Sequence, residues 1–282
     1  MYLSIDFEDF YHDLKRSLGL WETGNLKVDE LWNKYNIINN FVKTNGKGKG
    51  KNLTFFCTAL IAKYEPELIK QIVADGHEIA CHYFFHDSMI NQESQIVEKM
   101  ILKSIEVLEN VSGKKIYGFR APNFSIRKSD PRKYKIIEKY FLYDSSFYCE
   151  SISELKDFYI KMELDRLNLI PIFSKKIFGK SLRLGGSYLK MFPLTYSKYM
   201  YKQSSKNGFE PHIYLHPYEF GNSFGFRVKR FELKNLGYFK SLYWSLRQSQ
   251  WLNFYNNKLE FKISYLLQND QLSGRLCDQF LN

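Results

Sequence analysis

The sequence feature that most constrains the fold is a series of short apolar segments, each ending in polar residues and separated by helical stretches. In the first half of the chain, the polar ends lie at residues 6–9, 82–86, 120–123 and 144–146. Alternating strands and helices of this kind predict a parallel sheet covered by helices. The carboxyl ends of parallel strands meet on one face of an α/β barrel, where active sites form. Four polar strand ends in series therefore favour a site over unrelated turns.

Apolar periodicity predicts the individual elements. Helices are expected over residues 29–43, 65–74, 91–111, 131–140, 193–206, 236–250 and about 262–270. Strands are expected over residues 2–8, 53–57, 79–81, 116–119, 141–143, 167–173 and 211–215. Because neither a repeat nor a linker divides the sequence, we expect a single domain over residues 1–282. Its core should span about residues 2–260, with a peripheral, loosely held C-terminal tail.

Charge and composition limit the class of partner. A chain of 282 residues with 44% hydrophobic content can bury a large core. The net charge of +11 suggests an anionic glycan, a membrane surface or nucleic acid. The charge looks scattered, however, and neither a basic helix nor an aromatic–basic platform is evident, so nucleic acid is the least favoured partner. The densest basic run, Gly46–Lys51, is expected to be a solvated loop or linker.

Cysteine usage and hydropathy indicate the compartment. The four cysteines, Cys57, Cys81, Cys149 and Cys277, have no C-x-x-C pairing, so free thiols are expected. No apolar run approaches the ~20 residues that span a bilayer. The first residues enter a strand without a basic leader or a cleavage site. These features predict a cytoplasmic protein.

Two histidines four residues apart suggest a metal site. His82 and His86 follow the apolar run Ile79–Cys81. If the chain turned into a helix at this point, both imidazoles would lie on one helical face and could bind one divalent cation. Such a pair could equally cap a helix and pack against the neighbouring phenylalanines. Carboxylates at residues 6–9 would favour a cation if they were buried nearby, although an acidic turn or helix cap remains an alternative.

Taken in chain order, the polar strand ends resemble the motifs of the polysaccharide deacetylase family, which is carbohydrate esterase family four, or the NodB-homology domain. The resemblance covers nearly all of residues 2–260. Its five motifs are Asp6–Asp9, His82–His86, Arg120–Pro122, Asp144–Ser146 and Leu215–Pro217. Further segments are similar to a bacterial subgroup tied to exopolysaccharide and surface-glycan gene clusters, namely Gly118–Pro122, Gly185–Tyr188 and Leu215–Glu219.

The resemblance implies both a fold and an activity. The fold would be a distorted, incomplete (β/α) barrel. The activity would be metal-dependent hydrolysis of N-acetyl groups on an amino sugar of a surface polysaccharide or its precursor. The substrate would be a carbohydrate, on the cytoplasmic side a nucleotide- or lipid-linked sugar, which leaves peripheral membrane contact open.

The opening motif departs from the usual pair of adjacent aspartates, so two alignments compete. In one, Asp6 is the catalytic base and Glu8 is a metal ligand. In the other, Glu8 is the base and Asp9 is the ligand. Residues i and i+2 of a strand face the same side, which favours the first alignment. The fourth motif also lacks its usual nearby tryptophan, so the sugar pocket is expected to be walled by Tyr143, Phe147 or Tyr148.

The resemblance further implies a metal site. Glu8, His82 and His86 would hold one divalent ion, which is expected to be zinc, with cobalt, nickel or iron as alternatives. The ion would activate a water molecule and polarise the N-acetyl carbonyl.

The remaining motif residues would carry proton transfer and substrate binding. Arg120 would hold Asp6 ionised and oriented as the base, and Asp144 would fix the tautomer of His216, the general acid. The backbone N–H of Asn123 would stabilise the oxyanion. Substrate contacts are expected from Pro122, Gly186 and Tyr188. The other histidines, His12, His77 and His212, are expected to be structural.

Two other hypotheses remain open. One is a catalytically silent glycan-binding domain, which the altered first motif and the missing tryptophan favour. The other is a metal-independent hydrolase of small amides with the same fold. The intact pair His82 and His86 argues against the second, since such enzymes can dispense with metal ligands.

Overall fold

A seven-stranded parallel sheet organises the protein in the computed structural model, which describes residues 1–21, 25–177 and 179–281. The described strands, in chain order, are β1 (Tyr2–Phe7), β2 (Thr54–Cys57), β3 (Glu78–Cys81), β4 (Gly118–Phe119), β5 (Tyr143–Asp144), β6 (Tyr148–Cys149), β7 (Asn168–Leu169), β8 (Ile172–Ile177), β9 (Lys180–Arg183) and β10 (His212–Leu215). The sheet order is β10-β1-β2-β3-β4-β5-β7. The sheet curls into a half-barrel, which confirms the predicted incomplete (β/α) barrel.

Helices surround this sheet. The described α-helices are α1 (Phe10–Ser17), α2 (Val28–Asn45), α3 (Ala59–Tyr64), α4 (Pro66–Ala74), α5 (Ser94–Ser112), α6 (Pro131–Tyr140), α7 (Ile152–Met162), α8 (Gly186–Met191), α9 (Leu194–Lys206), α10 (Tyr238–Leu252) and α11 (Leu259–Leu267). A small second sheet has the order β6-β8-β9, with β8 and β9 antiparallel. None of the described helices is both long and apolar enough to cross a bilayer.

The strands present different chemistry on their two faces because side chains alternate along a strand. On β1, Leu3, Ile5 and Phe7 join the main hydrophobic core beneath the helices. The alternate residues Ser4 and Asp6 are also buried, and they face the inside of the half-barrel. Polar side chains on this inner face need partners, and the neighbouring strands supply them.

The C-terminal tail fills the amino end of the barrel interior, so the prediction of a peripheral tail is wrong. Leu276 and Cys277 are buried against Tyr2 and Tyr143. The Leu276 amide donates to the Thr54 hydroxyl at 2.8 Å, and the N-terminal amine donates to the Gln271 carbonyl at 2.8 Å. The last dozen residues show no clear apolar periodicity, so the sequence did not predict that they pack in the interior.

Several local predictions need correction. Helices α1, α3, α7 and α8 and strands β6 and β9 were not predicted, and the expected strand 167–173 is split between β7 and β8. The glycine–lysine run is partly packed, because Gly50 is buried and a Cβ there would lie 2.2 Å from the Leu272 carbonyl oxygen. The four cysteines are buried free thiols, as predicted.

Candidate active site

A buried arginine organises the interior at the carboxyl ends of the strands. Arg120 follows β4, is fully buried, and forms an ion pair with Asp6 through Oδ1. Its other N–H groups donate to the Ser4 hydroxyl at 3.0 Å and the Ser145 hydroxyl at 2.8 Å. Its guanidinium lies 4.0 Å from the centroid of the Phe56 ring. Because a planar guanidinium has donors in fixed directions, these contacts fix the orientation of the Asp6 carboxylate.

One histidine outside the motifs belongs to this network. His212 Nε2 lies 2.8 Å from the Ser4 hydroxyl and 3.4 Å from an Arg120 nitrogen. Burial, together with the Arg120 charge, lowers the pKa of His212 well below its usual value, so the ring is neutral. His77 lies elsewhere, where its Nδ1 accepts the Leu53 amide at 3.0 Å.

Glu8, His82 and His86 form a cluster that can hold a metal ion, with one ligand atom from each lying within 4.8 Å of the others. His82 Nδ1 lies 2.8 Å from the Arg120 carbonyl oxygen, which can only accept, so Nδ1 carries the proton. His82 Nε2 therefore presents a lone pair, and this buried atom has no hydrogen-bond partner among the described residues. A buried lone pair beside a carboxylate is what a cation requires, so the donor set fits a metal.

The ionisable groups of this cluster shift one another's pKa values. Burial alone would raise the pKa of Glu8, but His86, whose Nε2 lies 2.6 Å away, outweighs burial and lowers it. Burial would lower the pKa of His86, but Glu8 raises it to about 9. Burial and the nearby His86 lower the pKa of His82 well below its usual value. His82 is therefore a neutral imidazole, the form that binds metals.

The loop that carries the two histidines is not helical, so the predicted helical pairing is wrong. Residues 82–86 follow β3 in an irregular turn in which Tyr83 has a φ of 67°. The Tyr83 carbonyl accepts the Ala59 amide at 3.0 Å, and the Phe84 carbonyl accepts the Leu60 amide at 3.0 Å. The first amides of a helix lack partners within it, so the start of α3 holds this loop in place.

Asp9 caps a helix, which argues against its prediction as the alternative ligand. Its Oδ1 accepts the His12 amide at 2.9 Å at the start of α1, and its Oδ2 accepts the Lys27 amide at 2.5 Å. Burial raises the pKa of Asp9 to about 7 despite these bonds. Both carboxylate oxygens are thus bound to the backbone. The geometry fits the alignment in which Glu8 lies with the histidines and Asp6 lies with Arg120.

His216 pairs with Glu219, and the predicted pairing with Asp144 is wrong. His216 Nδ1 lies 3.0 Å from Glu219 Oε2, and the same oxygen accepts the His216 amide at 3.0 Å. Glu219 is fully buried on the 3₁₀ turn Pro217–Glu219. Burial would lower the pKa of His216, but Glu219 outweighs burial and raises it.

Asp144 lies in β5, which four strands separate from β10 in the sheet. Its Oδ1 accepts the Ser146 hydroxyl at 2.5 Å, and the Ser146 oxygen accepts the Ala121 amide at 2.7 Å. Burial raises the pKa of Asp144 to about 7. The side chain therefore supports the backbone of the Arg120–Pro122 segment.

A cavity of about 270 Å³ opens beside these groups. Its polar lining comes from Glu8, Asp13, Ser17, His86, Asn123 and His216. Asn123 has a φ of 55° in the turn after β4. The apolar wall of the cavity is formed by Phe10, Leu14, Tyr218, Trp244 and Trp251.

The two tryptophans lie on α10, about a hundred residues beyond the motif where a tryptophan was expected. The residues predicted to form this wall lie elsewhere. Tyr143 is buried and donates to Glu78 at 2.9 Å, Phe147 packs against Phe158, and Tyr148 lies beside Arg183.

The predicted substrate contacts do not line this cavity among the described residues. Gly186, with a φ of 53°, packs against Tyr214, where a Cβ would lie 2.9 Å from the hydroxyl oxygen. The Tyr188 ring stacks on Phe192 at 6.3 Å. Pro122 is buried and begins the turn that carries Asn123.

Comparison with known proteins adds two matching family models. Residues 37–135 match the model described as Polysaccharide deacetylase, and residues 144–263 match a Domain of unknown function (DUF3473). A peptidoglycan deacetylase from Helicobacter pylori is 28% identical over 115 residues, which are 41% of this chain and 34% of the relative. A peptidoglycan deacetylase-like protein from Gibberella zeae is 33% identical over 100 residues, which are 35% of this chain and 29% of the relative. The chain thus matches about a third of the length of these relatives.

Solved structures share the fold. A protein described as a polysaccharide deacetylase from Mycobacterium smegmatis has a TM-score of 0.53 at 17% identity, covering 98% of this chain and 88% of that one. The Bc1960 peptidoglycan N-acetylglucosamine deacetylase has a TM-score of 0.52 at 14% identity, covering 99% and 86%. A family CE4 pseudoenzyme from Bacillus anthracis has a TM-score of 0.50 at 12% identity, covering 98% and 63%. At such identities the likeness shows the fold alone.

Proposed function

The chain belongs to the polysaccharide deacetylase family, and we propose that it is a metal-dependent hydrolase that removes an N-acetyl group from an amino sugar of a surface polysaccharide or its precursor. The observation that carries this proposal is the unpartnered Nε2 of His82 beside Glu8 and His86. Asp6 and His216, which flank this cluster, are residue types that can accept and donate protons.

Glu8, His82 and His86 would hold the metal. One carboxylate and two imidazoles are donors that suit zinc, and three protein ligands are typical of catalytic zinc sites. When bound, the cation supplies Lewis acidity, which lowers the pKa of water and polarises an amide carbonyl. The Arg120 carbonyl holds the His82 ring in the tautomer that such binding needs.

Asp6 would act as the general base. Arg120 engages Oδ1 of Asp6, which leaves Oδ2 to take a proton from the attacking water. The guanidinium pairs with this carboxylate in a buried position, where an unpaired charge would be costly. Asn123 lines the cavity, and its backbone N–H would donate to the oxyanion that develops on the amide carbonyl oxygen.

His216 would protonate the leaving amine. Its Nδ1 is held by Glu219, which leaves Nε2 as the proton donor. Glu219 would be a positioning residue, because it contacts His216 and does not itself line the cavity. Its charge favours the protonated imidazole, which is the form a general acid needs.

The cavity limits the part of the substrate that can be enclosed. Its volume of about 270 Å³ is slightly below the ~300–1,000 Å³ of typical ligand pockets, so one sugar residue fits better than several. Tyr218, Trp244 and Trp251 offer apolar faces on which a sugar ring can stack. A nucleotide- or lipid-linked sugar would place its carrier outside this cavity.

A catalytically silent glycan-binding domain is the second candidate. Glu8 in place of an aspartate supports it, because the longer side chain changes the reach of the acidic ligand. A fold neighbour is itself a pseudoenzyme. The aromatic wall would serve such a domain equally well.

Metal analysis together with acetate release separates the two candidates. Protein purified without chelator should carry nearly one equivalent of zinc, cobalt, nickel or iron and release acetate from N-acetylated amino sugars. His82→Ala should lose both the metal and the activity, whereas Asp6→Asn should keep the metal and lose the activity. Metal and sugar binding without acetate release across N-acetylated amino sugars would favour the silent domain. Protein that binds no metal after reconstitution would contradict the hydrolytic proposal.

A further inference from the structure

Helix α10 is inverted relative to an ordinary surface helix. Of its four buried residues, Ser241, Ser245, Gln248 and Leu252, three are polar. It exposes Phe239, Tyr243 and Leu246, with exposed fractions of 83%, 55% and 66%. Their i, i+4, i+7 spacing makes one apolar stripe along the helix. Surface helices normally place such a stripe against the core, so this stripe needs another explanation.

Hydrogen bonds on the buried side of α10 hold the helix in this orientation. The Gln248 side chain accepts the Val228 amide at 2.8 Å and donates to the Val228 carbonyl at 2.8 Å. The Ser245 carbonyl accepts an Arg227 N–H at 3.1 Å. Turning the stripe inward would break these bonds and leave buried backbone groups without partners, which is costly. The apolar stripe is therefore a stable feature of the surface.

Positive charge is concentrated in the chain segment that contains the stripe. Residues 227–258 contain seven basic residues and one acidic residue, which gives them +6 of the chain's net charge of +11. Within the described part of the chain, none of these basic residues forms an ion pair with a carboxylate: Arg227, Lys229, Arg230, Lys234, Lys240, Arg247 and Lys258. The one acid, Glu232, binds the Tyr11 hydroxyl. The expectation of scattered charge without an aromatic–basic surface is thus wrong for this segment.

We propose that this surface, the α10 stripe with its flanking basic residues, docks on a lipid bilayer that contains anionic lipids. Exposed aromatic and aliphatic side chains beside unpaired lysines and arginines are typical of helices that lie in the membrane interface. The basic residues would attract the anionic headgroups, and the stripe would bury its side chains at the acyl boundary. A second copy of the chain is a poorer partner, because a symmetric contact would bring two surfaces of charge +6 together.

The docking surface adjoins the candidate active site. Trp244 and Trp251 lie on the same helix and line the cavity. The Tyr243 ring, on the stripe, lies 5.2 Å from the Trp244 ring. Membrane docking through α10 would therefore bring the cavity to the headgroup layer, where a lipid-linked sugar presents its sugar. The docking itself needs no catalysis, so it can be tested apart from the proposed activity.

Co-sedimentation with vesicles tests the proposal. The full chain is mixed with phosphatidylcholine vesicles, either pure or containing phosphatidylglycerol, at low and high salt. We expect binding to the anionic vesicles that weakens as salt screens the charges. Phe239→Ser with Leu246→Ser should weaken binding by at least about tenfold, since each removes a large apolar side chain from the interface. Ile160→Ser, at a residue of α7 with an exposed fraction of 78%, is the matched control and should bind as the unchanged protein does.

Three results would overturn the proposal. The first is protein that stays in the supernatant with anionic vesicles. The second is binding that the Phe239→Ser, Leu246→Ser variant retains in full, which would indicate a purely electrostatic surface. The third is a dimer of the unchanged protein that this variant converts to a monomer, which would assign the stripe to a second copy. Thermal unfolding of each variant verifies that it is folded.

Discussion

The two ends of the half-barrel interior hold opposite chemistry on the same strands. At the carboxyl end, the inner face carries Asp6, Arg120 and the histidine loop, which lie beside an open cavity that His86 lines. At the amino end, Leu276 and Cys277 fill the interior against Tyr2. Packing closes the amino end, whereas the carboxyl end stays open and polar. Substitutions at the carboxyl end should change activity, and those at the amino end should change stability.

The largest effect is expected at the carboxyl end, on Glu219. Glu219→Gln should lower kcat by about 10²–10⁴, the usual contribution of general acid–base catalysis, with KM nearly unchanged. Because Glu219 raises the pKa of His216, its loss should move the alkaline limb of the pH–rate profile to lower pH. Steady-state kinetics across pH measures both.

Asp144→Asn is the matched control for Glu219→Gln. Asp144 bonds Ser146 and not His216, so its variant should leave the alkaline limb in place. If Asp144→Asn moved the limb and Glu219→Gln did not, the pairing seen here would not be the one used in catalysis.

At the amino end, Leu276→Ala should lower the free energy of unfolding by about 2–5 kcal/mol, as for other fully buried leucines. The kinetic constants of the folded protein should stay unchanged, because Leu276 lies at the other end of the interior. Urea unfolding with an activity assay gives both numbers. Leu281→Ala removes a neighbouring leucine with an exposed fraction of 39% and should change the free energy by less than about 0.5 kcal/mol. Equal effects of the two variants would mean that the tail does not fill the interior.

The smallest effect concerns His77, which precedes β3 on the amino side. Burial lowers its pKa from 6.5 to about 4, so between these values the unfolded chain binds more protons than the folded one. Stability should therefore fall as pH decreases from about 6.5 to 4, by up to about 3 kcal/mol from this group. His77→Gln should remove that part of the pH dependence, as measured by urea unfolding at several pH values. An unchanged slope would show that His77 does not titrate in this way.

The two ends also differ in how much of them the sequence could predict. Asp6, His82, Arg120 and His216 were predicted together, because the carboxyl ends of parallel strands meet and the motifs resemble a known family. The choice between Glu8 and Asp9 needed the backbone, since only the structure shows the amides that Asp9 caps.

Other features had no predicted role. Glu219 ends the segment Leu215–Glu219 that resembles the subgroup, but the resemblance assigned it no function. Trp244 lies in the predicted helix over residues 236–250 and Trp251 directly follows it, but nothing in the sequence placed them at the cavity, and the structure turns the polar side of this helix inward. The tail residues 276–277 are too few to show a period. In each case a long-range contact decides the environment of the residue.

The central claim is that Glu8, His82 and His86 bind one divalent metal at the open end of the barrel. Anomalous diffraction at the zinc absorption edge, on crystals grown with zinc, tests it most directly. We expect one strong peak at about 2.0–2.2 Å from His82 Nε2, a His86 nitrogen and a Glu8 oxygen. A peak bound to Asp9, or crystals without a peak at this cluster, would contradict it.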